Sequence, residues 1–224
     1  MSTLKGFFRK LADRAVWLLC PNRCPYCDKL IGYHDTECEE CIKKLFNGVR
    51  SRELPEGGRC EAPFEYKGQV RQAILRYKFR SDISAAGSFA KQISKVTGRL
   101  APVIDAVTNV PLSESSLKQR GYDQTELIAR KTAEILEKPF CAALRKVRQK
   151  RVQHSLSLKE RRENSKGCYA VSDASDISGK TLLLIDDICT SGYTMAECRR
   201  VLLEAGAQDV YCASAAIAEF DRQD

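Results

Sequence analysis

No stretch of this chain holds the roughly 18 uninterrupted apolar residues that would mark a membrane-spanning helix. The N-terminal stretch "MSTLKGFFRKLADRAVWLLC" resembles a signal or lipoprotein peptide only superficially. Lys10, Asp13 and Arg14 break its apolar run, and Leu19 stands before Cys20 where a small residue would be needed. It reads instead as an amphipathic helix with Leu4, Phe8, Leu11, Ala15 and Leu18 on one stripe. Such a stripe packs onto its own domain by default, with a membrane surface as the alternative partner. The expected compartment is the cytoplasm, where reducing conditions argue against a disulfide framework for the eleven cysteines. Also missing are a GxxxxGK[ST] loop and a GxGxxG turn after a strand, which removes the two commonest nucleotide-binding loops. Acidic residues are scarce between Arg145 and Lys166, where nine Lys or Arg face only Glu160 and Glu163. With a net charge of +8, that run points to an anionic partner such as phosphate or nucleic acid, or to a solvated face. Aromatic residues are also scarce beside it. Only Tyr169 interleaves with those charges, so a base-stacking platform is not evident.

What is present begins with cysteine. "CPYCDKLIGYHDTECEEC" sets Cys24 and Cys27 against Cys38 and Cys41 as two CxxC pairs. Each such turn aims two sulfurs at one point, and two turns supply a tetrahedral site with Zn–S distances of about 2.3 Å. Thiolate ligands favour zinc, and a segment too short to form its own core would draw folding free energy from the metal. A redox dithiol or a metal-free knuckle are the other readings, and Cys20 and His34 are spare ligands. Cys141, Cys168, Cys189, Cys198 and Cys212 are scattered at apolar positions, as small core residues would be. After Cys41 a short helical piece fades into a polar stretch with Pro55, Gly57 and Gly58, read as a linker, with the domain boundary near residues 50–59.

Beyond Cys60 strand-like and helix-like segments alternate, and the strands "DAVTNVP", "GCYAV", "TLLLID" and "DVYCASAAIA" are mainly apolar. That pattern predicts an α/β domain with a parallel sheet covered on both faces, whose ligands sit beyond the carboxyl ends of the strands. Asp123 is placed to cap the helix "DQTELIARKTAEILEK". The stretch "LLLIDDICTSGYT", residues 182–194, carries the strongest signal. A buried strand is expected to end at Ile185 and to release Asp186 and Asp187 into the crevice. Two adjacent carboxylates need solvent, a divalent metal or a hydroxyl-rich ligand, and a ribose diol meets that need. Thr190, Ser191, Gly192, Tyr193 and Thr194 then lead into a helix whose first N–H groups favour an anion. A diol reader followed by a phosphate cradle points to a ribose 5-phosphate.

The same thirteen residues resemble the phosphoribosyl-pyrophosphate (PRPP) signature of type I phosphoribosyltransferases. Two further segments narrow the resemblance. "VPLSESSLKQRGYDQTELIA" and "VRQKRVQHSLSLKERRENSKGCY" are similar to segments of the competence-protein-F-like (ComF) phosphoribosyltransferases, whose zinc module the CxxC pairs also resemble. Lys150 stands where that family has Thr, and Ser191 replaces the second Thr of its TTG. The resemblance implies a type I phosphoribosyltransferase fold over residues 60–224 and a zinc-ribbon-like module within residues 1–55. It implies that Asp186 and Asp187 hold the ribose hydroxyls and residues 190–194 the 5-phosphate. Pro111, Leu112 and Ser113 would form the pyrophosphate loop, and Arg148 would belong to a loop closing over the leaving group. Mg²⁺ would accompany PRPP, and Zn²⁺ would be structural. The implied activity is phosphoribosyl transfer linked to DNA uptake. The alternatives are a non-catalytic protein handling single-stranded DNA on the same fold, and a nucleobase salvage enzyme.

Overall fold

The computed structural model describes residues 21–79, 82–148, 165–173 and 177–219. The N-terminal amphipathic stripe, Cys20, Lys150 and most of the basic run lie outside the described residues.

The chain runs through helix α1 (Glu39–Leu45) into strands β1 (Arg50–Glu53), β2 (Arg59–Ala62) and β3 (Phe64–Glu65). Helices α2 (Gly68–Phe79) and α3 (Ala85–Thr97) follow, then β4 (Ala106–Asn109), α4 (Glu114–Arg120) and α5 (Gln124–Ile135). Strands β5 (Leu144–Lys146) and β6 (Tyr169–Val171) precede β7 (Thr181–Cys189), α6 (Tyr193–Glu204) and β8 (Asp209–Ile217). The main sheet has the order β1-β2-β8-β7-β4, with β3 also on β8. All its pairings are parallel except that of β1 with β2. Phe140 extends the outer edge of β4 by a parallel bridge to Val107.

The central strands β7 and β8 are largely apolar because both faces of the sheet are covered there. Leu183 and Ile185 point into a core with Phe64, Ile74, Phe89 and Ile128, beneath α2, α3 and α5. Leu182 and Leu184 point the other way, toward Met195, Cys198 and Leu202 of α6. The chain therefore leaves β4 for helices on one face and leaves neighbouring β7 for a helix on the other. Between the carboxyl ends of these strands lies the switch point at which such sheets open a crevice.

Three expectations differ from this structure. Strand β7 does not stop at Ile185. Its pairing with β8 continues through Asp186↔Ser214 to Cys189↔Ile217, whereas its pairing with β4 ends at Asn109↔Ile185. Residues 186–189 thus form a ledge, supported on the β8 side beyond the last β4 pair. The segment read as the parallel strand "GCYAV" pairs instead with β5 in a separate antiparallel ribbon. Finally, the polar stretch read as a linker contains edge strand β1, closed onto β2 by a turn in which Leu54 N–H donates to the Gly58 carbonyl at 2.9 Å. Its charged and polar residues, Arg50, Ser51, Arg52 and Glu53, are those of a solvent-facing sheet edge, a composition that also discourages pairing with other chains.

Candidate functional site

The acids on the ledge face different surroundings. Asp187 continues the face of Leu183 and Ile185, and it is 6% exposed. One carboxylate oxygen receives the Lys78 ammonium from the last turn of α2 at 2.8 Å. The other accepts from the Gln124 side-chain amide at 3.0 Å, from the first residue of α5. Tyr77, beside Lys78, feels this carboxylate: burial first, then the neighbouring Tyr122, Asp187 and Asp123, pushes its phenol well above the ordinary value. Asp186 turns to the opposite face, where Tyr169 of β6 lies. There burial raises the phenol, and Cys198 and Asp186 add to it. The Asp186 carboxylate also accepts the backbone N–H of Asp187 at 2.8 Å. By the alternation of a parallel ladder that amide points to the β4 side, as the Ile185 carbonyl does in accepting Val110 N–H at 2.9 Å. The Asp186 carboxylate therefore bends over the open edge of the ledge. Asp187, on the other side of the strand, stays buried against Lys78 and Gln124.

The ledge runs directly into Thr190, which is exposed, and half-buried Ser191. Gly192 then starts α6 in the left-handed region, at φ 81°, without a side-chain cap on the helix. The first turn, with Tyr193 and Thr194, thus presents the N–H groups and dipole that favour an anion. Gly192 is needed for more than its φ. A Cβ there would come 3.0 Å from Leu54 Cδ2 and 3.2 Å from Pro55 Cδ, so the β1–β2 turn rests directly on this loop.

Across the crevice, Pro111, Leu112 and Ser113 leave β4. Ser113 caps α4 by accepting Ser116 N–H at 3.2 Å. Asp123 ties this exit to α5. One of its oxygens accepts from Leu112 N–H at 3.0 Å, and the other from the N–H groups of Thr125 and Glu126 at 2.9 and 3.0 Å. Arg148 lies beyond β5 in an exposed bend, and the structure describes no contact between it and the ledge.

The cysteine pairs form a second centre. The sulfurs of Cys24, Cys27, Cys38 and Cys41 all lie within 4.8 Å of one another. Those of Cys27 and Cys38 are 3.7 Å apart. Tetrahedral zinc with Zn–S bonds of about 2.3 Å requires S–S edges of about 3.8 Å, so the donor set fits such an ion. Cys41 N–H donates to the Cys38 sulfur, the contact that orients a thiolate at the start of α1. Burial, with the neighbouring sulfurs of Cys38 and Cys27 adding to it, pushes the Cys41 thiol far up. A bound cation is what would bring such a group to thiolate. The cluster is built into the main core: Tyr26 packs edge-on to Phe64 and Phe89 at ring separations of 5.6 and 6.4 Å. The Tyr26 hydroxyl pairs with Ser88 at 2.8 Å, and Ser88 and Gln92 both donate to buried Glu37.

The phosphoribosyl transferase domain family matches residues 125–222, which span β7, the ledge and α6. Competence protein ComFC of Bacillus subtilis is similar at 27% identity over 91% of this chain and 84% of its own length. Competence protein F of Haemophilus influenzae is similar at 23% identity over 84% and 81%. The DNA utilization protein YhgH of Salmonella typhi is similar at 27% over 84% and 80%. Over most of its length the chain is therefore similar to proteins named for competence and DNA utilization, and it carries the match to the phosphoribosyl transferase domain. Among solved structures, an adenine phosphoribosyltransferase is similar at 13% identity with a TM-score of 0.41, over 80% of this chain and 89% of that one. No helix among the described residues is long and apolar enough to cross a membrane.

Sequence reasoning placed Asp186, Asp187, residues 190–194 and 111–113 around one crevice, and the fold brings them to neighbouring strand ends. It missed Lys78 and Gln124, which hold Asp187. A lysine in the last turn of a helix is ordinary, and Gln124 reads as a helix-start residue. The only available signal was that Gln124 follows the capping Asp123 immediately, at the mouth of the crevice.

Proposed function

We propose that the crevice binds the ribose 5-phosphate part of PRPP, and that the protein is a phosphoribosyltransferase serving DNA uptake or utilization in the cytoplasm. The observation that carries the reading is the continuity of the ledge: two adjacent carboxylates, Asp186 over its open edge and Asp187 buried beside it, run straight into a glycine-started helix without a side-chain cap. Asp186 and Asp187 accept the ribose hydroxyls. Thr190, Ser191, Gly192, Tyr193 and Thr194 receive the 5-phosphate. Pro111, Leu112 and Ser113 face the pyrophosphate, and Arg148 arrives on a loop that closes over it. Mg²⁺ brought with the diphosphate would supply charge neutralisation on the leaving group. When the C1–O bond breaks, the electron pair leaves with the diphosphate, and the ribose gains oxocarbenium character that the two carboxylates stabilise. A nitrogen nucleophile closes the reaction from the opposite face. Cys24, Cys27, Cys38 and Cys41 hold Zn²⁺ in a structural role.

The test is calorimetric titration with ribose 5-phosphate and with PRPP plus Mg²⁺, followed by a pyrophosphate-release screen over nucleobases. Binding that Asp187→Asn weakens at least tenfold, together with release for one base, supports the reading. Undiminished binding in that variant refutes the site. A second reading draws on the relatives named for DNA utilization: a non-catalytic protein that handles single-stranded DNA. Tight oligonucleotide binding that falls steeply with salt, with no pyrophosphate released for any base, would favour it.

A further inference from the structure

Lys78 is in an unusual place for a lysine near a helix end. Its side chain is only 18% exposed, and its ammonium is spent on a buried carboxylate. A buried ion pair is seldom a net gain over apolar residues of similar size, so stability alone does not explain it. The surroundings show how firmly it is set. The Tyr77 hydroxyl donates to the Gln124 backbone carbonyl at 2.7 Å, and the Tyr122 hydroxyl donates to the Tyr77 carbonyl. Tyr77 thus locks the end of α2 to residues 122–124, which fixes Lys78 and Gln124 relative to each other. Asp187, paired with an ammonium, is an acceptor only, so the Gln124 amide must turn its NH₂ toward it. The Gln124 side-chain oxygen is then left buried without a hydrogen-bond partner. Buried amide oxygens are normally satisfied, so this one marks a place where a donor is expected.

We propose that Lys78 and Gln124 are positioning residues. Together they hold the Asp187 carboxylate with one lone pair on each oxygen engaged, so that the remaining lone pairs face a sugar hydroxyl, and they thereby set the preference for an intact ribose diol. The proposal rests on the crevice being a sugar-phosphate site. Neither residue touches the phosphate or the leaving group. Their loss therefore removes hydroxyl discrimination and leaves the phosphate grip intact.

The experiment is calorimetry of the full chain with ribose 5-phosphate, 2-deoxyribose 5-phosphate and 3-deoxyribose 5-phosphate, for wild type, Lys78→Met and Gln124→Leu. Wild type is expected to bind each deoxy analogue about tenfold more weakly, the scale of one hydrogen bond to a charged group. Lys78→Met is expected to bind ribose 5-phosphate and one of the analogues within about twofold of each other. Its affinity for that same analogue should stay near that of wild type. Gln124→Leu should shift in the same direction, and it decides alone if Lys78→Met does not fold. Retained discrimination against both analogues overturns the proposal, as does equal loss for all three ligands. An effect seen with PRPP but not with ribose 5-phosphate would place Lys78 on the diphosphate and also overturn it. If wild type binds none of the three, the sugar-phosphate reading itself fails.

Discussion

Asp187 shows what a single carboxylate requires when it is taken out of water. Each of its oxygens has a protein donor, from Lys78 and from Gln124, and both donors come from the face that buries it. Removing one partner leaves the other charge stranded. Lys78→Met should therefore cost about 3 kcal/mol in urea unfolding at neutral pH, while Lys78→Met combined with Asp187→Leu should cost much less. Additive losses in the double variant would mean that the two side chains do not depend on each other. Gly192 makes a different demand. It combines a left-handed φ of 81° with contact against Leu54 and Pro55. Gly192→Ala should lose about 1–2 kcal/mol to the backbone alone, read as a lowered melting temperature, with further loss as the β1–β2 turn shifts. The sequence made Asp186, Asp187 and Gly192 visible because adjacent acids before a small-residue turn are rare. It did not reveal Lys78, whose partner lies far along the chain, nor that Gly192 serves the neighbouring hairpin.

Elements were legible where a local rule governs them. Asp123 was expected to cap its helix, and it does so with two N–H groups; its further bond to Leu112 N–H depends on the fold. Asp123→Ala should cost about 1 kcal/mol for the cap. It should also loosen residues 111–113, seen as faster amide exchange at Leu112 that a simple capping loss would not produce. Strand ends were less legible than strand existence. The apolar run suggested that β7 stops at Ile185, but its length is set by β8, whose partners extend to Ile217. The polar residues of Arg50–Glu53 read as linker because this edge strand has no buried face to give it an apolar period. Helix α6 adds a pH-sensitive tie. Buried Glu197 accepts Gly167 N–H at 2.7 Å and pairs with Arg200 at 2.9 Å. Burial opposes its ionisation, but Arg200 and the Gly167 amide outweigh it and hold the carboxyl below its ordinary value. A lowered folded-state pKa means that this contribution is complete above the unfolded value and is lost as pH falls through the folded one. Wild type should therefore lose stability more steeply than Glu197→Gln as pH drops below about 4.5, followed by chemical denaturation at a series of pH values.

For the whole molecule, the main question is whether the cysteine cluster is an appendage or part of the core. Two CxxC pairs followed by a polar stretch read as a zinc module with a domain boundary near residues 50–59, because spacing reports the ligands and not what they pack against. In the structure Cys24, Tyr26 and Cys41 share a buried cluster with Phe64, Ile74, Phe89 and Leu183. The Arg76 guanidinium donates to the Pro25 carbonyl, and the Gln69 amide donates to the Tyr26 carbonyl at 3.4 Å, so α2 grips the first CxxC turn. If the cluster holds zinc as proposed, stripping it should therefore propagate. With a strong chelator, amide protection should fall along residues 22–45 and also along the faces of α2 and α3 that receive Tyr26, and the melting transition should shift down as one unit. Loss of protection confined to residues 22–45 would mean that the cluster folds apart from the sheet. The path from the cysteine cluster to the crevice is short: α2 carries Arg76 toward Pro25 and Lys78 toward Asp187 within a single turn. On the proposed sugar-phosphate reading, disordering the cysteine turns should thus weaken ribose 5-phosphate binding without removing any proposed ligand contact, and adding zinc back should recover it.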